Sequence, residues 1–176
     1  MNFKDIGVRE LAEYVGKHLH RNDVEAVLVG GACVSIYTEN KYMSYDLDFI
    51  TYETMRKVKK ILEGIGFVYD DKKYFIHKDC KFFLEFVSPP IAIGDEPVTQ
   101  FKTLKSNTGA IKILTPTDCV KDRLAAYIHW DDEQSLEQAL MVAKNQKIDI
   151  SNIKYWAKKE PNGKKTQEFF NRLGIA

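Results

Sequence analysis

A doubled glycine followed by a spaced carboxylate pair constrains this chain more than any other feature. Val29-Gly30-Gly31 closes a short apolar run, and Ser44-Tyr45-Asp46-Leu47-Asp48-Phe49 follows after a stretch of helical character. Asp46 and Asp48 alternate with Tyr45, Leu47 and Phe49, the period of a half-buried strand. Residues two apart on a strand share a face and stand roughly 7 Å apart. Both carboxylates therefore leave one face while the aromatic and aliphatic side chains enter the core. Two like charges on one face repel, and a divalent cation relieves that repulsion. A glycine turn with free backbone N–H groups nearby suits the phosphates of a metal–triphosphate complex.

The surrounding pattern is mixed. Ile6, Leu11, Tyr14, Val15, His18 and Leu19 predict an amphipathic helix over residues 4–20, and a turn follows at Asn22-Asp23. Residues 24–29 read as a strand, 32–38 as a short helix, 45–51 as a second strand and 54–64 as a helix ended by Gly66. Strand-like pieces follow at 67–69, 74–76 and 81–87, separated by turns at Asp70-Asp71 and Lys78-Asp79. Pro89-Pro90 stops the last of these. Gly94-Asp95-Glu96 reads as a loop, and 101–104 with 110–114 as a hairpin around Ser106–Gly109. Thr115-Pro116-Thr117-Asp118 is a helix-start signal with Thr115 or Thr117 as cap. Helices are predicted beyond it over 119–130, 133–144, 151–159 and 164–173. The expected organisation is an α+β chain, with an α/β core over 1–114 and a helical region over 115–176.

Length and composition narrow the function classes. The 176 residues suit one domain, or one domain with a helical appendage. No run approaches the ~20 apolar residues of a membrane span. Charges interrupt the apolar residues of the first ten positions, so a secretory signal is not expected. Three scattered cysteines, Cys33, Cys80 and Cys119, fit a reducing cytoplasm better than a disulfide framework. No Cys/His metal spacing appears, and His18 and His20 read as surface residues. Net charge is +1, yet residues 144–176 hold eight Lys and Arg against three Asp and Glu. That excess reads either as a solvated helical face or as a basic surface that guides a polyanion such as RNA.

The chemistry-bearing residues form one unit. Gly30 and Gly31 let backbone approach a phosphate without a Cβ in the way. The helix beginning there directs N–H groups at an anion, and Ser35 near its start adds a hydroxyl. Asp46 and Asp48 on the next strand are candidate Mg²⁺ ligands. Two metal ions stabilise the attacking and leaving oxygens of an in-line displacement at phosphorus. Glu85, a lone charge in Lys81–Val87, is the candidate third carboxylate, as ligand or as base; an edge-strand residue facing water is the alternative. Lys102 and Lys105 read as solvent-facing hairpin lysines, and Asp95 and Glu96 as loop acids within possible reach of a metal. Trp130 reads as a packing residue between helices, with stacking on a base as the alternative. His77 has no assigned role. No Ser/His/Asp order and no Gly-x-x-x-x-Gly-Lys-Ser/Thr run is present.

Val29-Gly30-Gly31, Asp46-Leu47-Asp48-Phe49 and Glu85 together resemble the nucleotidyltransferase superfamily related to DNA polymerase β. Within it, the chain looks like the small bacterial and archaeal enzymes grouped with abortive-infection toxins and aminoglycoside nucleotidyltransferases. Ser44, two residues before Asp46, and Pro116-Thr117-Asp118 add to the likeness, which spans residues 24–130. The resemblance implies a nucleotidyltransferase-like mixed twisted sheet flanked by helices, with a C-terminal helical segment. It also implies an NTP donor and Mg²⁺. The toxin branch tends to carry a Lys on its first C-terminal helix and an Arg-Asp pair on the next. Here Arg123 occupies the first place and the Arg-Asp pair is missing near Asp131-Asp132. Arg123 would meet triphosphate oxygens through its fork of donors.

The expected activity is transfer of a nucleoside monophosphate from an NTP to an acceptor hydroxyl, with release of pyrophosphate. RNA, protein and small-molecule acceptors all remain open, and so does a homodimer. No membrane partner is expected. A non-catalytic binding module of the same fold, antitoxin-like, is the competing reading. A glycosyltransferase holding a metal-bound sugar nucleotide on Asp-x-Asp is a third.

Overall fold

A computed structural model describes residues 1–70 and 73–175. The chain runs α1 (Val8–His20), β1 (Val27–Val29), α2 (Gly30–Tyr37), β2 (Asp46–Ile50), α3 (Met55–Glu63), β3 (Val68–Tyr69), β4 (Tyr74–Ile76) and β5 (Phe83–Val87). It continues through β6 (Ala92–Ile93), β7 (Glu96–Pro97), β8 (Phe101–Lys105) and β9 (Ala110–Leu114). Four helices close it: α4 (Pro116–Trp130), α5 (Glu133–Asn145), α6 (Ile150–Ala157) and α7 (Gly163–Leu173). The main sheet has the order β3-β4-β5-β2-β1-β9-β8. β1 runs antiparallel to β2 and parallel to β9, and β2 runs parallel to β5. The result is a mixed twisted sheet flanked by helices, followed by a helical C-terminal region.

Differences from the expected elements have local causes. α1 starts at Val8 because Gly7 is extended, with φ −86° and ψ 159°. α2 starts at Gly30 itself, two residues earlier than expected. The loop around Gly94-Asp95 is the turn of a two-stranded ribbon, β6 against β7. α4 starts at Pro116, where the missing N–H costs nothing, and Thr115 caps it by accepting from the Asp118 N–H. Of the turn expected at Asp70-Asp71, Asp71 lies outside the described residues. Among the described residues no helix is long and apolar enough to cross a membrane.

One continuous core joins the sheet to the helical region. Leu47, Phe49 and Leu84 of the central strands, Leu124 of α4, Leu136 of α5 and Phe169 of α7 are all fully buried within it. Two hydrogen bonds cross the same junction: the Tyr37 hydroxyl donates to the Leu114 carbonyl, and the Gln146 amide donates to the Tyr37 carbonyl. The β6–β7 ribbon is too short to stand alone and is tied down from below. Lys121 of α4, buried, donates to Glu96 at 2.8 Å and pairs with Asp118 at 2.9 Å. Burial works against the Lys121 charge, and the two carboxylates outweigh it, so its pKa is raised. Trp156 of α6 adds a bond from its indole N–H to the Ile93 carbonyl.

Removing one member of a buried ion pair leaves the other charge uncompensated. Lys121→Met is therefore expected to cost about 3 kcal/mol in urea unfolding. Lys102→Met, on the solvated hairpin, should change stability by less than ~0.5 kcal/mol in the same measurement.

Candidate active site

The site grows from the register of three strands. Asp48 lies opposite Glu85 across the parallel β2–β5 pair and opposite Val29 across the antiparallel β1–β2 pair. Asp46 lies two residues back on β2, opposite Phe83. Strand alternation sends Leu47, Phe49 and Leu84 into the core, fully buried, and leaves Asp46, Asp48 and Glu85 together on the other face, each half-buried. Neighbouring strands stand about 4.8 Å apart, so Asp48 and Glu85 are adjacent on that face.

Gly30 follows β1 and opens α2 with φ +68°, a conformation glycine adopts at no steric cost. A Cβ there would also run into the Asp48 carboxylate. At Gly31 a Cβ would press on the Ser44 hydroxyl. No side chain caps the first turn of α2, so its N–H groups are left for an anion. The Ser35 hydroxyl is used differently from the sequence expectation. It is fully buried, donates to the Gly31 carbonyl at 3.3 Å and accepts from the Ser44 N–H at 2.8 Å. Ser35 thus ties α2 to the segment entering β2. The hydroxyl nearer the carboxylates belongs to Ser44, which donates to Asp46. Its place two residues before Asp46 is the sequence signal for that contact.

The electrostatics follow from this crowding. Burial, then the negative charges of Asp46 and Glu85, push the Asp48 carboxyl up to about 7. Arg123 of α4 acts in the opposite direction on Asp48. Its guanidinium is held by its neighbour Asp122, Nε at 2.9 Å and Nη2 at 2.6 Å from one carboxylate oxygen. Burial disfavours the Arg123 charge, and Asp122 outweighs it. The donor set is all oxygen, as Mg²⁺ prefers, and Mg²⁺ commonly takes one or two carboxylates and completes its shell with water and substrate phosphates. Among the described residues no group of three or more His, Cys, Asp and Glu side chains stands close enough to hold a metal by itself. The Asp46–Asp48 pair, two carboxylates on one face of β2, fits the sparser requirement.

The other candidate residues separate clearly. The Glu96 carboxylate is engaged by Lys121 and Lys159, so it is not free for a metal. Asp95 is exposed at the ribbon tip. Lys102 and Lys105 face solvent. In the basic C-terminal stretch, Lys159, Lys165 and Arg172 pair with Glu96, Asp131 and Glu137. Trp130 corrects an expectation: it does not pack between helices but stands 81% exposed. The turn at Asp131, left-handed with φ 54°, ends α4 directly after it.

A carboxyl whose pKa is higher in the folded than in the unfolded chain loses stability as pH rises between the two values. For Asp48 that window runs from about 4 to about 7. The metal-free Asp48→Asn chain is expected to be more stable than the parent at pH 8 by roughly 2–4 kcal/mol, a gain that shrinks toward pH 4. Thermal unfolding at both pH values checks this. Mg²⁺ should raise the melting temperature of the parent more at pH 8 than at pH 5, and that of the variant much less.

No protein-family model and no curated protein sequence matches the chain. Solved structures do. The crystal structure of an antigenic nucleotidyltransferase-like protein from Paracoccidioides brasiliensis superposes with a TM-score of 0.59 at 11% identity, over 78% of this chain and 75% of that one. Two structures of the antibiotic-resistance factor ANT(2'')-Ia each give a TM-score of 0.47 at 10% identity over 78% of this chain. One is a solution structure and the other a crystal structure in complex with adenylyl-2''-tobramycin; 82% and 87% of those chains are covered. The first superposition carries the relationship, and it is one of fold: this chain shares the architecture of nucleotidyltransferase-like proteins.

Proposed function

We propose that the protein is a Mg²⁺-dependent nucleotidyltransferase that moves a nucleoside monophosphate from an NTP to an acceptor hydroxyl. The observation that carries the reading is the meeting of Asp46, Asp48 and Glu85 on one sheet face with Gly30 backed against Asp48. In the reaction, the acceptor oxygen bonds to the α-phosphorus. The bond from that phosphorus to the bridging oxygen breaks, and pyrophosphate leaves with the electron pair.

Each residue has a part that its position supports. Asp46 and Asp48 would hold Mg²⁺, with Ser44 orienting the Asp46 carboxylate. When bound, the ion would neutralise charge on the phosphate oxygens. Glu85, adjacent to Asp48, would complete the ligand set or take the acceptor's proton. The backbone of Gly30 and Gly31 and the first turn of α2 would receive the β- and γ-phosphates. Ser35 would support that turn from behind. Arg123, whose charge favours the ionised form of Asp48, would offset the negative charge of the triphosphate. Such catalysis is positioning and electrostatic stabilisation. A cytoplasmic setting agrees with three free cysteines.

The test is incubation with each α-labelled NTP, Mg²⁺ and a cell lysate, following label into RNA, protein or small molecules. The parent chain should transfer label and release pyrophosphate. Asp46→Asn and Asp48→Asn should each lower the rate by about 100-fold or more. Transfer that continues unchanged in both variants would rule out this mechanism. Nucleotide binding without any transfer would instead identify a non-catalytic module.

A further inference from the structure

We infer that a cleft flanked by Trp130 is the seat of the nucleotide's base, an inference that rests on the function proposed above. The cleft measures about 590 Å³. Ile93, Gly94 and Asp95 of the β6–β7 ribbon form one wall, and Arg123, Ala126 and Trp130 of α4 form the other. Residues 123, 126 and 130 recur at i, i+3 and i+7, so they line one face of the helix. Arg123 lines this cleft, and the helix that carries it packs against α2, whose first residue Gly30 backs onto the Asp48 carboxylate. Trp130 lies two turns farther along, about 10 Å away at 1.5 Å per residue. The phosphate end and the ring end of one nucleotide are separated on that scale.

Three features show that the cleft is built. Trp130 is 81% exposed, and among the described residues its ring has no stacking or hydrogen-bond partner. An indole face open to a polar cleft is a stacking platform for any base. The helix end that carries it is pinned: Lys165 donates to the Tyr127 carbonyl at 2.7 Å and to the Ile128 carbonyl at 3.3 Å, and pairs with Asp131. The opposite wall is equally fixed. Lys121 holds Glu96 from beneath the ribbon, and Glu160, bonded to His129 at 2.8 Å, fills the space beside Gly94. A two-residue ribbon and a helix terminus are ordinarily pliable, yet here both are secured around an uncovered indole.

The test compares Mg²⁺ tripolyphosphate with Mg²⁺ complexes of ATP, GTP, CTP and UTP, by calorimetric titration of the full chain. Trp130→Ala should weaken NTP binding about tenfold or more, leave tripolyphosphate binding unchanged and leave the melting temperature unchanged. Trp130→Phe should restore most of the loss. Of the two tryptophans, Trp156 is buried. Shielding of the exposed fluorescence from acrylamide by NTPs, and not by tripolyphosphate, should therefore accompany binding. NTPs that bind no more tightly than tripolyphosphate, or that bind Trp130→Ala as tightly as the parent, overturn the base seat. Tripolyphosphate that fails to bind counts against the phosphate site alone, and NTP binding that still depends on Trp130 then supports the seat.

Discussion

The repulsion around Asp48 is the constraint on which the rest of the site depends. Three strands fix its Cα between Val29 and Glu85, and Asp46 follows two residues before it on the same face. Backbone ladders enforce that register, and they do not yield to side-chain charge. The carboxylates are therefore held on one face whether or not a cation is present, and burial, followed by the charges of Asp46 and Glu85, pushes the Asp48 carboxyl up to about 7. Gly30 completes the arrangement, since any side chain there would occupy the space of the Asp48 carboxylate. The glycine, first in α2, and the aspartate of β2 are one steric unit.

Helix α4 gives this local arrangement its reach. Its N-terminal half is buried against α2 and the sheet through Cys119, Val120 and Leu124. Arg123, between those anchors, is held by Asp122 at the edge of the cleft, and Trp130 at the far end stands in solvent. One rigid element thus links a charged phosphate-scale environment to an aromatic surface. The helix is secured at the start by the Thr115 cap and at the end by Lys165. The buried Lys121 joins it to the β6–β7 ribbon, so the two walls of the cleft share a common base.

Much of this was legible beforehand, and the misses are instructive. Alternation in Asp46–Phe49 told which side chains turn inward, because a strand's period of two is set by its own backbone. The Tyr74–Ile76 strand and the hairpin around Ser106–Gly109 were equally plain, since turn residues bracket apolar runs there. Nearness to the glycines in sequence marks Ser35 as a phosphate ligand. Its hydroxyl instead serves the backbone of Gly31 and Ser44, a pairing set by how the loop after α2 folds back. The size of Trp130 suggests a packing residue, yet it stands exposed at the last position of α4.

The amino-acid order by itself determined the local periods: which residues alternate on β2 and β5, where glycine permits the turn into α2, and where Thr115 and Pro116 begin the helical region. Those properties depend on dihedral preferences and on hydrophobic spacing within a few residues. Tertiary structure alone decided that β2 pairs in parallel with β5, setting Glu85 beside Asp48 across 37 positions of sequence. It also decided that Arg123 and the β6–β7 ribbon line one cleft and that Trp130 stays uncovered. Such neighbours are chosen by the packing of whole elements, where burial of many apolar side chains outweighs the preference of any single polar one.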